Sequence, residues 1–276
     1  MTDLDFVQVG ELAHGIGQQR EPSVAALVGT SATLHYEDGS VTRIAFTGEH
    51  ALVWEALEGP EAGRSGTEAY AAFSPRDGIS FVDFMSGTLP RTSVSIVLDR
   101  TTGSATVVVG TLPTAEEVEK GAFALARDGE ELTAVRAEFL RAAVDRPFAA
   151  ADHAHGPTGE MVGKRVRYVY GPTEVYEHIY LNEKLYTWQC LAGVEKGLAD
   201  TDRCHSFKLG DRLYLFVWRE RVVPTLGVVV VDWRQMGSFG KLCGYESSDF
   251  GAVANARIAS VATLLNVTEH DPASFR

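Results

Sequence analysis

The chain has 276 residues, of which 45% are hydrophobic and 22% charged, and its formal net charge at pH 7 is −12. Such acidity argues against a nucleic-acid partner or an anionic membrane surface, because both need a basic protein surface. No apolar run approaches the ~18 residues of a membrane-spanning helix. The first residues, Met1 to Asp5, lack the basic and apolar regions of a signal peptide. We therefore expect a globular cytoplasmic protein without a membrane or nucleic-acid partner.

The first half is predicted to consist of short strands separated by turns such as Asp38-Gly39 and Asp77-Gly78. The predicted strands are Ala32–Tyr36, Val41–Thr47, Ala51–Ala56, Thr67–Phe73, Ile79–Met85, Thr92–Asp99 and Ala105–Val109. Short strands with turns every eight to twelve residues indicate antiparallel meanders that close as barrels or sandwiches.

The middle of the chain is less regular. Thr114 and Glu117 have the spacing of a capping box and predict a short helix. Apolar residues from Leu132 to Ala143 fit helical spacing, but a strand through Val135 and Phe139 fits as well, and both remain open. Residues Phe148–Gly159, which are rich in Ala, His, Gly and Pro, are the predicted linker.

The second half repeats the strand pattern of the first. Its predicted strands are Arg165–Tyr170, Val175–Leu181, Leu185–Leu191, Arg203–Lys208, Leu213–Arg219, Thr225–Trp233 and Lys241–Tyr245. The tail from Asp249 to Leu265 is predicted to contain a helix. The second half also contains all three cysteines of the chain. Because their number is odd and the chain shows no secretion signal, they are expected to be reduced and buried.

The two halves are related by an internal duplication. Trp54, Gly59 and Gly110 each have an identical residue 134 positions later, at Trp188, Gly193 and Gly244. The match holds at apolar and glycine positions, as expected of two copies of one fold. We predict an all-β protein of two tandem antiparallel β-barrels with short helices, divided as residues 1–150 and 151–276.

Differences between the copies indicate where function resides. Tyr168 and His178 stand where the first copy has Leu34 and Ile44, and Arg219-Glu220 stands where it has Met85-Ser86. Residues with a purely structural role are expected to be kept in both copies, so residues that differ between the copies are candidates for function. The candidate site therefore belongs to the second barrel, with the first as a scaffold.

Four residues are the predicted catalytic groups. Tyr168 and Tyr170 share one face of a strand, so both hydroxyls can point into one cavity and polarise a substrate oxygen. Glu220 ends an apolar strand, where burial can poise a carboxyl group as an acid or base. His178 is a second acid–base candidate near neutral pH if its side chain points inward.

Other residues of the second half are predicted to bind the ligand. Arg219 or Lys196 would pair with a substrate carboxylate, and aromatic rings would supply apolar area. The predicted binding residues are Arg219, Trp188, Lys196, Tyr180, Trp218 and Glu195. The alternative is that the aromatic residues merely pack on strands and that Arg219-Glu220 is a salt bridge at the barrel rim.

No metal or cofactor site is predicted. Cys204 and His205 are adjacent on a predicted strand, so they point to opposite faces and cannot easily hold one ion. No glycine-rich loop with a dinucleotide or phosphate-binding pattern opens a helix, and no Ser nucleophile elbow is present. The expected partner is a small hydrophobic or aromatic molecule, and a homodimer is left open.

Several motifs of the second half resemble the MoaF family. They are the runs Tyr176-Glu177-His178-Ile179-Tyr180-Leu181-Asn182, Tyr186-x-Trp188-x-Cys190-Leu191-x-Gly193 and Trp218-Arg219-Glu220. The resemblance covers most of the chain and implies a lipocalin-like (calycin) fold for each barrel. The family name also implies an accessory role in molybdenum cofactor metabolism.

A more distant similarity is to bacterial phenolic acid decarboxylases, which are also lipocalin-like. It rests on Tyr168-Val169-Tyr170 and on the segment from Lys208-Leu209 to Trp218-Arg219-Glu220. The similarity implies that the tyrosines hold a substrate carboxylate and that Glu220 transfers a proton. The essential arginine of those enzymes has no clear equivalent, since its place falls near Lys196.

Three functions follow as hypotheses. The first is a cofactor-independent lyase, isomerase or cyclase acting on a small aromatic or conjugated acid or ketone. The second is a lipocalin-like carrier or sensor of a hydrophobic molecule, in which Glu220 would be paired with Arg219. The third is the molybdenum cofactor role. It would require a basic pocket for an anionic pterin, and the sequence shows none.

Overall fold

The computed structural model describes residues 6–16 and 26–269, which belong to two compact units. One unit, the first barrel, comprises residues 26–112 and 136–156. The other, the second barrel, comprises residues 6–16, 113–135 and 157–269. Each unit is therefore built from separate stretches of chain. The sequence-based division at residue 150 assigns the N-terminal segment and residues 113–135 to the first barrel, whereas in the structure they group with the second.

The first barrel is a closed sheet of eight antiparallel strands in which each strand pairs with the next and β8 pairs with β1. The strands are β1 Ser31–Tyr36, β2 Val41–Gly48, β3 Ala51–Glu58, β4 Ser65–Arg76, β5 Ile79–Met85, β6 Thr92–Asp99, β7 Ser104–Thr111 and β8 Arg136–Val144. The segment left open between helix and strand is thus β8. A strand is favoured there because β7 and β1 would otherwise carry unpaired backbone groups along two edges.

The second barrel is also closed, through pairing of β12 with β13. Its strands are β10 Lys164–Val169, β11 Val175–Tyr180, β12 Leu185–Ala192, β13 Ala199–Gly210, β14 Leu213–Arg219, β15 Leu226–Asp232, β16 Gly237–Tyr245 and β17 Val253–Val267, and a two-residue strand, β9, spans Gly156–Pro157. The predicted helix between Asp249 and Leu265 is wrong. Strand β17 occupies this stretch because it closes the barrel between β16 and β10.

Few helices accompany the barrels. They are α1 Val9–Leu12, α2 Ala115–Val118, α3 Ala122–Arg127 and a 3₁₀ turn at Ala150–Asp152. The predicted capping box is confirmed: Glu117 N–H donates to Thr114 Oγ1 and Thr114 N–H donates to the Glu117 carboxylate. None of the helices within residues 6–16 and 26–269 is both long and apolar enough to cross a membrane.

Strand register confirms the duplication and corrects one match. Ala32 pairs with Ile44 in the first barrel as Val166 pairs with His178 in the second. Between β14 and β15, however, the second copy is one residue shorter. Gly110 therefore corresponds in register to Cys243, and its match with Gly244 is wrong by one position.

Candidate functional site

The interior of the second barrel is lined by aromatic and polar side chains. Along β10 and its end, Val166, Tyr168 and Tyr170 are buried while Arg167 is exposed, as the predicted alternation requires. Both tyrosines therefore point into the barrel. The large aromatic rings that line the second barrel fill most of its interior.

The cavity that remains is small, with a volume of about 30 Å³. On the scale of roughly 10–15 Å³ for each water molecule, it holds only two or three waters. The residues around it are Leu12, Ile16, Tyr170, Tyr176, His178, Tyr186, Trp188, Glu195, Trp218, Glu220, Leu242 and Ile258. A larger ligand would have to displace part of this lining.

Tyr168 and Tyr180 lie outside this lining. Their hydroxyl groups are 2.7 Å apart and hydrogen-bond to each other. Burial raises the pKa of Tyr168 to about 12, and it also holds the pKa of Tyr180 well above its usual range. The Tyr168 hydroxyl therefore bonds to Tyr180, a predicted binding residue, and Tyr170 is the predicted catalytic tyrosine that reaches the cavity.

Glu220 brings a carboxyl group into the cavity. It follows the last residue of β14, on the same side as Trp218, whose Nε1 donates to its Oε1 over 2.8 Å. Burial, followed by repulsion from Asp202 and Glu195, holds the pKa of Glu220 well above its usual range. A raised pKa favours the protonated form of a carboxyl group, in which it can act as a general acid.

Glu195 is a second carboxyl group in the same cavity. It lies in the turn between β12 and β13, and Tyr176 donates its hydroxyl proton to Glu195 Oε2 over 3.0 Å. The backbone N–H of Val7 donates to Oε1 over 3.3 Å. Burial raises the pKa of Glu195, and these hydrogen bonds only partly oppose the shift.

His178 points inward, but it does not titrate near neutral pH as expected. Burial lowers its pKa to about 3, so its imidazole is neutral. Its ring packs 4.7 Å from that of Tyr168. Its Nδ1 is buried and has no hydrogen-bond partner among the residues that the structure describes. This atom is an open position for a ligand group.

Trp188 lines the cavity with its ring, but its N–H is already engaged. Nε1 donates to Asp202 Oδ2 over 2.9 Å, and the backbone N–H of Arg221 donates to Oδ1 over 3.0 Å. Burial raises the pKa of Asp202 to about 6. Asp202 thus ties strand β12 to the chain that follows β14.

The first barrel repeats this arrangement. Trp54 Nε1 donates to Glu68 Oε1 over 3.2 Å, and the backbone N–H of Gly87 donates to Oε2 over 2.9 Å. All three residues lie 134 positions before their counterparts. Because structural residues are expected to be kept in both copies, we interpret this arrangement as structural. The sequence signal for this arrangement was an acidic residue at the same position of each copy, Glu68 and Asp202, and the sequence analysis missed it.

Both predicted cations lie away from the cavity. Arg219 alternates with Trp218 and Glu220, so it points to the opposite face, where Nη1 donates to Glu131 over 2.7 Å and to the Val135 carbonyl over 3.1 Å. The Arg219–Glu220 ion pair of the alternative interpretation is therefore replaced by Arg219–Glu131. Lys196 is exposed on the turn between β12 and β13.

The N-terminal segment 6–16 covers the cavity. Leu12 and Ile16 line it, and the ring of Phe6 meets that of Trp188 edge-on at 6.1 Å. Two glycines allow the close seating of this segment. A Cβ at Gly10 would overlap the backbone of Glu246, and one at Gly171 would overlap the carbonyl oxygen of Gly15. Sequence analysis gave no role to this segment.

The first barrel has no equivalent polar lining. Leu34, Ile44 and Leu52 fill its core at the positions of Tyr168, His178 and Tyr186. Within the described residues, no group of three or more His, Cys, Asp or Glu side chains is arranged to hold a metal ion. Cys190, Cys204 and Cys243 are buried and form no disulfide.

Comparison with known proteins gives the family. Residues 4–114 match the MoaF N-terminal domain and residues 155–268 match the MoaF C-terminal domain. Protein MoaF of Klebsiella aerogenes is 40% identical over 271 residues, covering 96% of this chain and 97% of that protein. A putative beta-lactamase from Burkholderia vietnamiensis is 14% identical with a TM-score of 0.32, covering 44% of this chain and 95% of that one, a likeness too slight to support any argument. The chain therefore belongs to the MoaF family.

Proposed function

We propose that this protein is a cofactor-independent acid–base enzyme of the lyase, isomerase or cyclase type, acting on a small aromatic or conjugated molecule in the second barrel. The observation that carries the proposal is the pair of carboxyl groups, Glu195 and Glu220, in an aromatic cavity. The pKa of each is raised, first by burial. Enzymes keep an acid protonated near neutral pH in this way so that it can give a proton to substrate.

Glu220 is the proposed proton-transfer group. The only hydrogen bond to its carboxyl group among the described contacts is the one from Trp218 to Oε1, which leaves Oε2 available to a ligand. Glu195 is held by Tyr176 and Val7, so it is better suited to position a ligand group than to exchange protons. Tyr170 would donate a hydrogen bond to a substrate oxygen, whereas the hydroxyl proton of Tyr176 is engaged by Glu195.

The lining narrows the expected substrate. Arg219 and Lys196 lie elsewhere, and the described residues around the cavity include neither Lys nor Arg. A substrate carboxylate would meet two acidic groups without a cation to offset its charge. Phenolic acid decarboxylation, whose enzymes have an essential arginine, and binding of an anionic pterin are therefore both disfavoured. A conjugated molecule without a carboxylate suits the lining better.

A carrier without catalysis is the second candidate. The cover by residues 6–16 favours it, because a covered cavity suits slow release of an enclosed hydrophobic molecule. Such a molecule would have to displace part of the lining, since the cavity measures about 30 Å³. The carrier hypothesis also required Glu220 to be paired with Arg219, and this pairing does not form.

The test is deuterium exchange. The full chain is incubated in deuterium oxide with a panel of small aromatic compounds bearing ketone, hydroxyl, carboxylate or amine groups, and the compounds are analysed by mass spectrometry. Uptake of deuterium on carbon, or a change of mass, is expected for at least one compound. The variant Glu220→Gln should lose this activity while binding uncharged ligands as before, and Lys196→Met, on the exposed turn, should keep it. Binding without any exchange would overturn the enzyme proposal in favour of the carrier.

A further inference from the structure

The cavity of the second barrel has an uncompensated acidic character. Glu195 and Glu220 line it, and Asp202 is close enough for its charge to act on Glu220. None of the described lining residues carries a positive charge. Carboxyl groups this close disfavour one another's ionised forms, and a bound cation would reverse that balance.

Glu174 adds a further carboxyl group beside Glu195. It is 1% exposed, and its Oε2 has no hydrogen-bond partner among the residues described. Its charge acts on Glu195 in the direction that raises the pKa of that carboxyl group. The turn after β12 brings the two acids together, since Gly193 has no side chain to separate them.

A second, independent feature points to a ligand. His178 is 5% exposed and lines the cavity, and its buried Nδ1 has no partner among the described residues. A buried polar atom without a partner costs about 1–3 kcal/mol, so native structures rarely leave one without a reason. A neutral imidazole can accept a hydrogen bond here from a donor on the ligand.

The remaining lining is aromatic. The faces and edges of Tyr170, Tyr186 and Trp218 surround the same space as the carboxyl groups. Aromatic faces attract cations through the ring quadrupole, and sites for ammonium groups in proteins are often built as cages of such rings. Carboxyl groups, an imidazole acceptor and aromatic faces together match the three donors and single positive charge of an ammonium group.

We propose that the ligand of this cavity is an amine on a small aromatic body, bound as its ammonium ion between Glu195, Glu220 and His178. This inference rests on the proposed function, which places the ligand in the second barrel. The aromatic body would replace the side chains of Leu12 and Ile16 when the N-terminal segment moves aside.

Amine binding should release a proton. Burial raises the pKa of Glu220 and so favours its protonated form, whereas an ammonium group beside it would favour the carboxylate. The proton leaves Glu220 for solvent, the ligand keeps its own positive charge, and a carboxylate–ammonium pair forms. An uncharged ligand of the same shape gives no such release, which provides a readout that does not depend on catalysis.

The test compares benzylamine, benzyl alcohol and benzoate, which share a ring and differ in charge. Isothermal titration calorimetry of the full chain at pH 7.5, in two buffers with different ionisation enthalpies, measures affinity and proton release together. We expect benzylamine to bind at least about tenfold more tightly than benzyl alcohol, a difference of about 1.4 kcal/mol, with benzoate the weakest. Proton release should accompany benzylamine alone.

Variants assign the effect to the site. Glu220→Gln should lower benzylamine affinity by about tenfold, abolish proton release and leave benzyl alcohol binding unchanged, with circular dichroism confirming that the variant is folded. Lys196→Met is the control and should change none of these quantities. Equal or tighter binding of benzyl alcohol or benzoate would overturn the amine assignment while leaving the proposed function intact. Failure of all three compounds to bind would overturn both.

Discussion

Replacing His178 with phenylalanine should stabilise the protein at neutral pH. The imidazole packs among aromatic rings, 4.7 Å from Tyr168 and 5.1 Å from Tyr186, so a phenyl ring of similar size can take its place. The substitution removes the buried Nδ1 that has no partner among the described residues. Removing an unsatisfied buried polar atom should gain about 1–3 kcal/mol in the free energy of unfolding. The first barrel already has an apolar residue, Ile44, at this position.

The same variant should resist acid better than the wild type. The pKa of His178 falls from 6.5 to about 3 on folding, so between these values the unfolded chain binds more protons than the folded one. This contribution to stability is present above pH 6.5 and is lost as the pH falls. From pH 7 to pH 4.5 it should cost the wild type about 2.5 kcal/mol that the variant keeps. The raised pKa values of Glu195 and Glu220 act in the opposite sense, but both proteins contain these residues and the difference cancels their effect.

Urea unfolding at pH 7 and pH 4.5, followed by tryptophan fluorescence, measures both effects, since Trp188, Trp218 and Trp233 all report on the second barrel. His50→Phe, at an exposed position of the first barrel, is the control for adding a phenyl ring and should follow the wild type at both pH values. The reasoning is refuted if His178→Phe is less stable than the wild type at pH 7, or if both proteins lose the same stability between pH 7 and pH 4.5.

Three further outcomes are expected. Asp202→Leu and Glu68→Leu should each lower the free energy of unfolding of their own barrel by about 2–4 kcal/mol, because each leaves an indole N–H and a backbone N–H unpaired. A loss below about 1 kcal/mol in urea titrations would contradict the shared structural role. Arg219→Met should leave the affinity for benzylamine in calorimetry within twofold of the wild type, because the side chain of Arg219 points away from the cavity. A larger loss of affinity would place Arg219 in the site. Gly171→Ala should displace the segment 6–16 that covers the cavity and so raise the association rate of benzylamine, measured by stopped-flow fluorescence, by about tenfold. An unchanged rate would mean that ligands enter elsewhere.

The duplicated chain separates structural from functional polar groups. The tryptophan–carboxylate arrangement survives in both barrels, at Trp54–Glu68 and Trp188–Asp202. Glu220 and His178, in contrast, have no polar counterpart able to do the same chemistry in the first barrel, where Ser86 and Ile44 occupy their positions. This comparison within one chain supports the assignment of function to the second barrel.

The sequence by itself determined the local pattern of this protein. Alternation and turn residues placed fourteen strands, each of which overlaps an observed strand, and alternation placed Tyr168 and Tyr170 on one face, because side chains alternate along a strand. The repeat at 134 residues gave two barrels and directed attention to Glu220 and His178 in the second. These conclusions depend only on spacing along the chain.

The tertiary structure decided what depends on neighbours distant in sequence. Strand β17 forms where local composition favours a helix, because β16 and β10 each need a partner to close the barrel. Arg219 leaves the site for Glu131, 88 residues away, and the N-terminal segment brings Leu12 against the cavity. Closing the sheet brings Glu220 and Glu195 to one cavity, where loss of solvent raises their pKa values. Such effects depend on which side chains are enclosed in the same space, and spacing along the chain does not specify this.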